Sequence, residues 1–258
     1  MVPGNNCGGL TPEGIVLCRN ELVDLLRREV TPALGCTEPG AIALASAKAL
    51  SLIGGEIREI ELTVSPSIFK NAKAVGIPCT EQTGVDLAAM LGVLIPDPPL
   101  DLTIFSQLTT EIVEQAVRKL SEIPPRIQVR EGLPGVHIDV SLRTDKGSSQ
   151  AIIARQHTNF VYLARNGETL LDEQGGVHLS GGSGLSLMEY ALEDVILACL
   201  DIPPVELEFL LDGVQMNMKM AEVGRDLESG LGFGRSWQKL QRLGYVSDDP
   251  GNEPPPLS

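Results

Sequence analysis

Apolar and polar positions recur along this chain with two different periods, first helical and then strand-like. From Pro12 to Val30, Ile15, Leu22, Leu25, Leu26 and Val30 share one face, and Arg27 and Arg28 stand near the end that favours cations. That pattern predicts an amphipathic helix. Ala41–Ile53 is rich in alanine and apolar nearly all round, ending at Gly54-Gly55, which predicts a buried helix packed closely on its neighbours. Arg58–Val64 alternates charged and apolar residues up to Ser65-Pro66, as a half-buried strand does. No period is evident from Ser67 to Thr83. Gly84–Ile95 predicts a short apolar helix stopped by Pro96-Asp97-Pro98-Pro99, and Gln107–Ile123 an amphipathic helix stopped by Pro124-Pro125.

Strand spacing follows in Arg126–Arg130, Val136–Arg143, Gln150–Gln156 and Phe160–Arg165. Asp145-Lys146-Gly147 and Asn166-Gly167 suit antiparallel hairpins. Gly175–Gly184 reads as a glycine-rich connector, and Ser186–Leu200 and Pro204–Met220 as two closing helices. This order predicts an α+β fold with a mostly antiparallel sheet of about four strands packed with helices. Residues 1–20 are then an N-terminal extension and helix start, 21–237 the folded domain, and 238–258 an acidic, Pro-rich tail expected to be disordered.

Composition narrows the function classes. The 258 residues carry a net charge of −14 and only 3% aromatics, so the core is built from Leu, Ile, Val and Ala. Such acidity disfavours nucleic acid and anionic lipid as partners. The first ten residues lack a basic start and a long apolar run, which points to a cytoplasmic protein. Ala41–Ile53 contains Lys48 and as a helix would measure ~20 Å against a bilayer core of ~30 Å. Cys7, Cys18, Cys36, Cys79 and Cys199 are odd in number and widely spaced. They read as reduced thiols, without a disulfide frame or a local metal or cluster site.

Chemistry gathers at residues 30–40, Val-Thr-Pro-Ala-Leu-Gly-Cys-Thr-Glu-Pro-Gly. Pro32, Gly35 and Pro39 require one helix to stop and another to start. Thr37 is suited to cap the new helix, with Glu38 and Pro39 in its first turn. Cys36 would then face unpaired N–H groups and the positive end of the helix dipole, which lowers a thiol pKa. Glu38 acts in the opposite direction, and the sign of the net shift stays open. A half-buried structural cysteine is the competing reading.

His157 and Asn159, in Gln156-His157-Thr158-Asn159, sit between two strands, where an acid–base group and a carboxylate-binding amide could meet a ligand. A polar hairpin turn is the plainer alternative. Lys70-Asn71 follows the first strand. A Cys36–His157–Asn159 nucleophile triad is disfavoured, because a His and an Asn one residue apart diverge on a hairpin. The glycine runs at 175–176 and 181–184 match no phosphate-binding fingerprint. Met216, Met218 and Met220 read as packing or partner-contact residues; His137 and His178 receive no role.

These segments resemble the N-terminal half of the L-cysteine desulfidase family, relatives of the iron–sulfur L-serine dehydratases. Residues 30–39 resemble its first signature, Val64-Ser65-Pro66 with Lys70-Asn71 its strand exit, Gly76-Ile77-Pro78 the loop that follows, and His157-Thr158-Asn159 its His-Thr-Asn motif. Leu211-Asp212, Asn217 and Gly230-Leu231-Gly232 continue the likeness, which runs from about Glu21 to Trp237. The resemblance implies a lyase for α,β-elimination of L-cysteine or L-serine to pyruvate, ammonia and sulfide or water, without PLP. It implies Cys36 as the base, and Thr37, Glu38, Lys70, Asn71, His157, Thr158 and Asn159 as substrate-holding residues. It also implies a [4Fe-4S] cluster whose ligands lie in a second half that this chain lacks, supplied by another domain or subunit, with a homo-oligomer as a further arrangement. The alternative expectation is a non-catalytic amino-acid- or partner-binding domain of the same descent.

Overall fold

Alanine places the centre of this fold. The computed structural model describes residues 10–11, 14–15, 17–80, 82–174, 187, 190–226 and 232–246. In chain order the elements are β1 (Leu10–Thr11), β2 (Gly14–Ile15), α1 (Arg19–Glu29), α2 (Thr37–Ile53), β3 (Ile57–Val64), α3 (Pro66–Ala72), α4 (Val85–Leu94), α5 (Thr110–Glu122), β4 (Arg126–Val129), β5 (His137–Thr144), β6 (Gly147–Ala154), β7 (Phe160–Arg165), β8 (Glu168–Asp172), α6 (Leu192–Leu200), α7 (Phe209–Asp226) and α8 (Phe233–Arg242), with 3₁₀ turns at Ile104–Gln107 and Pro204–Leu207. The chain divides into two units, one of Thr31–Ser186 and one of Met1–Val30 with Leu187–Ser258.

Helix α2 is buried from Pro39 through Ala47 and again at Ala49. Its small side chains let it pack against both α4 and strands β5 and β6. The Ser149 hydroxyl on β6 donates to the Ala49 carbonyl at 2.6 Å, tying helix to sheet. On α4, a Cβ built at Gly92 would meet the Ala43 backbone, with Cα at 2.7 Å. The two helix backbones therefore touch, and only glycine fits.

The fold is α+β, as the element order predicts. Its sheet differs from the expected one: six strands in the order β4-β3-β5-β6-β7-β8. All neighbours are antiparallel except β3 and β4, which pair parallel with Val64 opposite Val129. The reason is connectivity, since the chain between them passes through three helices, and a crossover of that length permits a parallel return. Strand β8 is the addition that the alternation did not reveal. Ile138, Val140 and Leu142 of β5 face the core, while His137, Asp139 and Ser141 point to the other face.

Other elements also depart from expectation. The segment without period contains α3, whose start is fixed by Ser65: its hydroxyl accepts from the Ile68 amide at 3.3 Å and donates to the Gly135 carbonyl at 2.7 Å. Pro66 occupies the first turn, where its missing N–H is harmless. Helix α5 begins at Thr110, capped by the Thr109 hydroxyl.

In the other unit, the helix expected from Pro12 begins only at Arg19, after the antiparallel pair β1–β2. Arg27 of α1 lies 4.4 Å from the centre of the Phe209 ring and donates to the Glu206 carbonyl at 3.3 Å. Helix α7 runs past Met220, and α8 crosses residue 238, where the tail was expected to begin. The connector at 175–184 and residues 247–258 lie outside the described residues. Among the described residues, Cys18, Cys36, Cys79 and Cys199 take part in no disulfide, and no helix is long and apolar enough to cross a membrane.

Asp139 supplies a test of the sheet's polar face. It accepts from Gln150 Nε2 at 2.8 Å. Burial pushes its carboxyl above the ordinary value of 3.8, against the lowering effects of that bond, His137 and Arg130. A raised carboxyl binds its proton more tightly in the native state. The stability this gives is full below the unfolded value and lost as pH rises through the native one. Asp139→Asn should therefore raise the urea midpoint at neutral pH and give no gain in acid. A lower midpoint at neutral pH would show that the charge is compensated.

Candidate functional site at the start of helix α2

The loop that enters α2 at Leu34–Cys36 is held by its backbone. The Leu34 amide donates to the Leu102 carbonyl at 3.1 Å. Gly35 has φ +81° and packs so near Pro78 that an added Cβ would lie 2.8 Å from Cγ. A side chain there would be both strained and crowded. Cys36 follows in extended conformation at the cap position itself, and Thr37 is the first helical residue. The cap expected at Thr37 therefore falls on Cys36, which makes no side-chain capping bond.

Glu38 is the hub. Its Oε2 accepts from Cys36 Sγ at 2.9 Å and from Thr37 Oγ1 at 3.2 Å, and its Oε1 accepts from Asn71 Nδ2 at 2.8 Å. His157 Nε2 stands 3.9 Å from the same Oε1 and 3.4 Å from Thr37 Oγ1. With the Thr37 hydroxyl donating to Glu38, its oxygen is left to accept from His157 Nε2 in the tautomer that protonates this nitrogen. A continuous path follows: His157 to Thr37 to Glu38 Oε2, the oxygen that Cys36 also reaches.

Electrostatics assign the protons. Burial raises the Cys36 thiol pKa, and its hydrogen bond to Glu38 and that residue's charge raise it further; the amides of Glu38 and Thr37 pull it down without prevailing. The open sign is thereby settled upward, and Cys36 rests as a thiol. Burial alone would raise Glu38, but the bonds from Cys36, Asn71, its own amide and Thr37 hold it below 4.5. The pair is thus a thiol facing a carboxylate.

Three elements converge here: α2 brings Cys36, Thr37 and Glu38, α3 brings Asn71, and the β6–β7 turn brings His157. Lys70 is exposed on α3, and among the described residues no hydrogen bond or ion pair joins it to the cluster. Thr158 is exposed in the turn. Asn159 closes that turn, its Nδ2 donating to the Ala154 carbonyl at 3.1 Å. With Asn159 bound there and the thiol on Glu38, the described residues form no Cys–His–Asn triad. The packing of Gly35 on Pro78 was not read from sequence, although the glycine directly before the cysteine was its signal.

Among the described residues, no group of three or more His, Cys, Asp or Glu side chains is placed to hold a metal ion.

Comparison with known proteins gives a consistent likeness. The chain is 36% identical over 232 residues to a UPF0597 protein of Alkaliphilus oremlandii, a match covering 90% of this chain and 54% of the relative. A UPF0597 protein of Clostridioides difficile is 38% identical over 231 residues, covering 88% and 54%. One of Clostridium tetani is 32% identical over 216 residues, covering 83% and 51%. The chain is similar to UPF0597 proteins. It spans about half the length of the curated relatives it matches. No protein-family model matches it, and neither does any solved structure.

These relatives overturn the expected assignment to the L-cysteine desulfidase family, since the name they carry is UPF0597 and nothing in the matches supports a desulfidase. The structure shows why the short motifs misled. Gly35 packs on Pro78, Ser65 caps α3 and Asn159 closes its own hairpin, so much of each motif serves local geometry.

Proposed function

We propose that the Cys36–Glu38 pair, with Thr37, Asn71 and His157, is a proton-transfer site for α,β-elimination of a small amino acid, L-cysteine or L-serine. The observation that carries this is the 2.9 Å thiol-to-carboxylate bond at the start of a helix. A thiol that can hand its proton to Glu38 becomes a thiolate at the moment a substrate α-proton needs an acceptor. The electron pair of the broken Cα–H bond forms the Cα=Cβ bond, and hydrosulfide or hydroxide leaves from Cβ. The aminoacrylate tautomerises to an imine, and water releases ammonia and pyruvate. Thr37, Asn71 and His157 would receive the substrate's carboxylate and ammonium, with Lys70 at the rim. In this reading full turnover draws on a second polypeptide half.

A binding-only role is the second reading. It is favoured by the three hydrogen bonds that Glu38 already accepts, which fix its carboxylate in place.

The first half-reaction separates the two. In deuterated water, proton NMR should show loss of the α-proton of L-cysteine or L-serine with the intact chain, and Cys36→Ala should reduce that rate by about 10²-fold or more. Unchanged exchange in Cys36→Ala would remove the base assignment. Calorimetric binding of either amino acid without exchange, pyruvate or sulfide would establish the second reading.

A further inference from the structure

Helices α6, α7 and α8 present exposed apolar residues. On α6, Leu192, Ile196 and Leu200 recur at helical spacing, and Leu192 and Leu200 are 75% and 78% exposed. On α8, Phe233, Trp237 and Leu240 form a similar stripe, with Phe233 79% exposed. Helix α7 is barer still. Every residue from Val214 to Gly224 is exposed. Leu211, Val214 and Met218 lie on one side of it, and Met216, Met220 and Val223 on the opposite side.

A helix of this length is marginal in water by itself, because most helical stability in proteins comes from burying an apolar face. Three helices that each show such a face to solvent mark an interaction surface. We infer that α6, α7 and α8 form the docking surface for a second polypeptide half, the part of the UPF0597 relatives' length that this chain does not match. That half is either continuous with this chain or a separate subunit.

Two facts select this occupant. The relatives carry nearly as much chain again beyond the matched part, so a body of suitable size exists for them. The stripes are flanked by charges of both signs, Glu193 and Asp194 on α6, Asp212, Lys219 and Glu222 on α7, and Arg235, Lys239 and Arg242 on α8, a mixture that suits a polypeptide surface better than a lipid surface of one sign. Apolar stripes on both sides of α7 require a partner that wraps it, and three unbranched methionines adapt readily to such a partner. The inference is independent of the elimination chemistry, because binding is read without substrate.

The test mixes the intact chain with the unmatched half of the Alkaliphilus oremlandii relative, produced as a separate polypeptide. Light scattering should show a one-to-one complex, and hydrogen exchange should slow in α6, α7 and α8. The exposed substitutions Ile196→Asp and Met220→Asp, checked by circular dichroism for retained helix, should each weaken the complex roughly tenfold or more. No complex, or protection confined to other elements, overturns the inference. So does a homodimer of this chain that forms without the partner and is lost in the same variants, or binding to neutral phosphatidylcholine vesicles in preference to the polypeptide.

Discussion

Glu38→Gln should lower α-proton exchange by about 10²–10⁴-fold while making Cys36 easier to alkylate at a given pH. The two effects run in opposite directions, which is what makes the result informative. Glutamine has the shape of glutamate but no charge. The carboxylate's hydrogen bond and charge, both of which raise the thiol pKa, disappear, whereas the amides that lower it stay. The pH profile of iodoacetamide alkylation should therefore move to lower pH. A thiolate acting alone would then exchange substrate protons faster. A thiol that depends on Glu38 to accept its proton would exchange them more slowly. Faster exchange in Glu38→Gln would reduce the carboxylate to a brake on Cys36 and end the relay. Stability gives a second reading of the same variant. A carboxyl held below 4.5 stabilises the native state above its unfolded pKa, and this contribution fades as pH falls through the native value. Its place in the first turn of α2 adds about 0.3–1 kcal/mol through the helix dipole. Glu38→Gln should lose both and flatten the acid limb of the stability curve.

The parts of this protein that were legible in its sequence are those decided by near neighbours. Helix α2 shows in its run of small apolar residues, β3 in alternation, and the β7–β8 turn in Asn166-Gly167, where both residues have positive φ. Helix α3 did not show, since seven residues are too few to display a period. The parallel placing of β4 depends on which strand it meets, and nothing in Arg126–Val129 names β3. The start of α1 was misplaced because the apolar Ile15 also fits a two-residue strand. Helix α8 was passed over beside the Pro-rich tail, although Phe233, Trp237 and Leu240 carry the period. The site shows the same division. Cys36, Thr37 and Glu38 are adjacent and were read together, but Thr37 meets His157 across 120 positions. Local pattern could propose both segments; only the packing of α2 beneath the sheet brings them together. The sign of the Cys36 shift needed the burial of the thiol and the direction of its bond to Glu38, and neither is local.

Because α2 carries the site on its first turn, a substitution in its packing partner should damage both stability and chemistry. Gly92→Ala adds one methyl group to α4 and on propensity alone would gain about 1 kcal/mol in a helix. The methyl has no room. Its carbon would lie 2.7 Å from the carbonyl carbon of Ala43, and backbone cannot rotate away as a side chain could. The helices must separate, with a cost of about 1–3 kcal/mol, occasionally more, for overpacking. The loss should exceed the gain, and Gly92→Val should lose more again. Gly213→Ala on α7 is the control, since nothing stands within 4 Å of its added Cβ, and there propensity should leave stability equal or higher. Urea unfolding followed by circular dichroism, with amide exchange in α2 to localise the change, makes the comparison. Displacing α2 also moves Glu38 against Asn71 and His157, which sit on other elements, and a misplacement of about 1 Å can cost on the order of 10²-fold in rate. Gly92→Ala should therefore reduce α-proton exchange even under conditions where the chain remains folded. Equal stability in Gly92→Ala and the parent would show that α4 does not press on α2, and the rigid seat given to Cys36 and Glu38 would lose its physical basis.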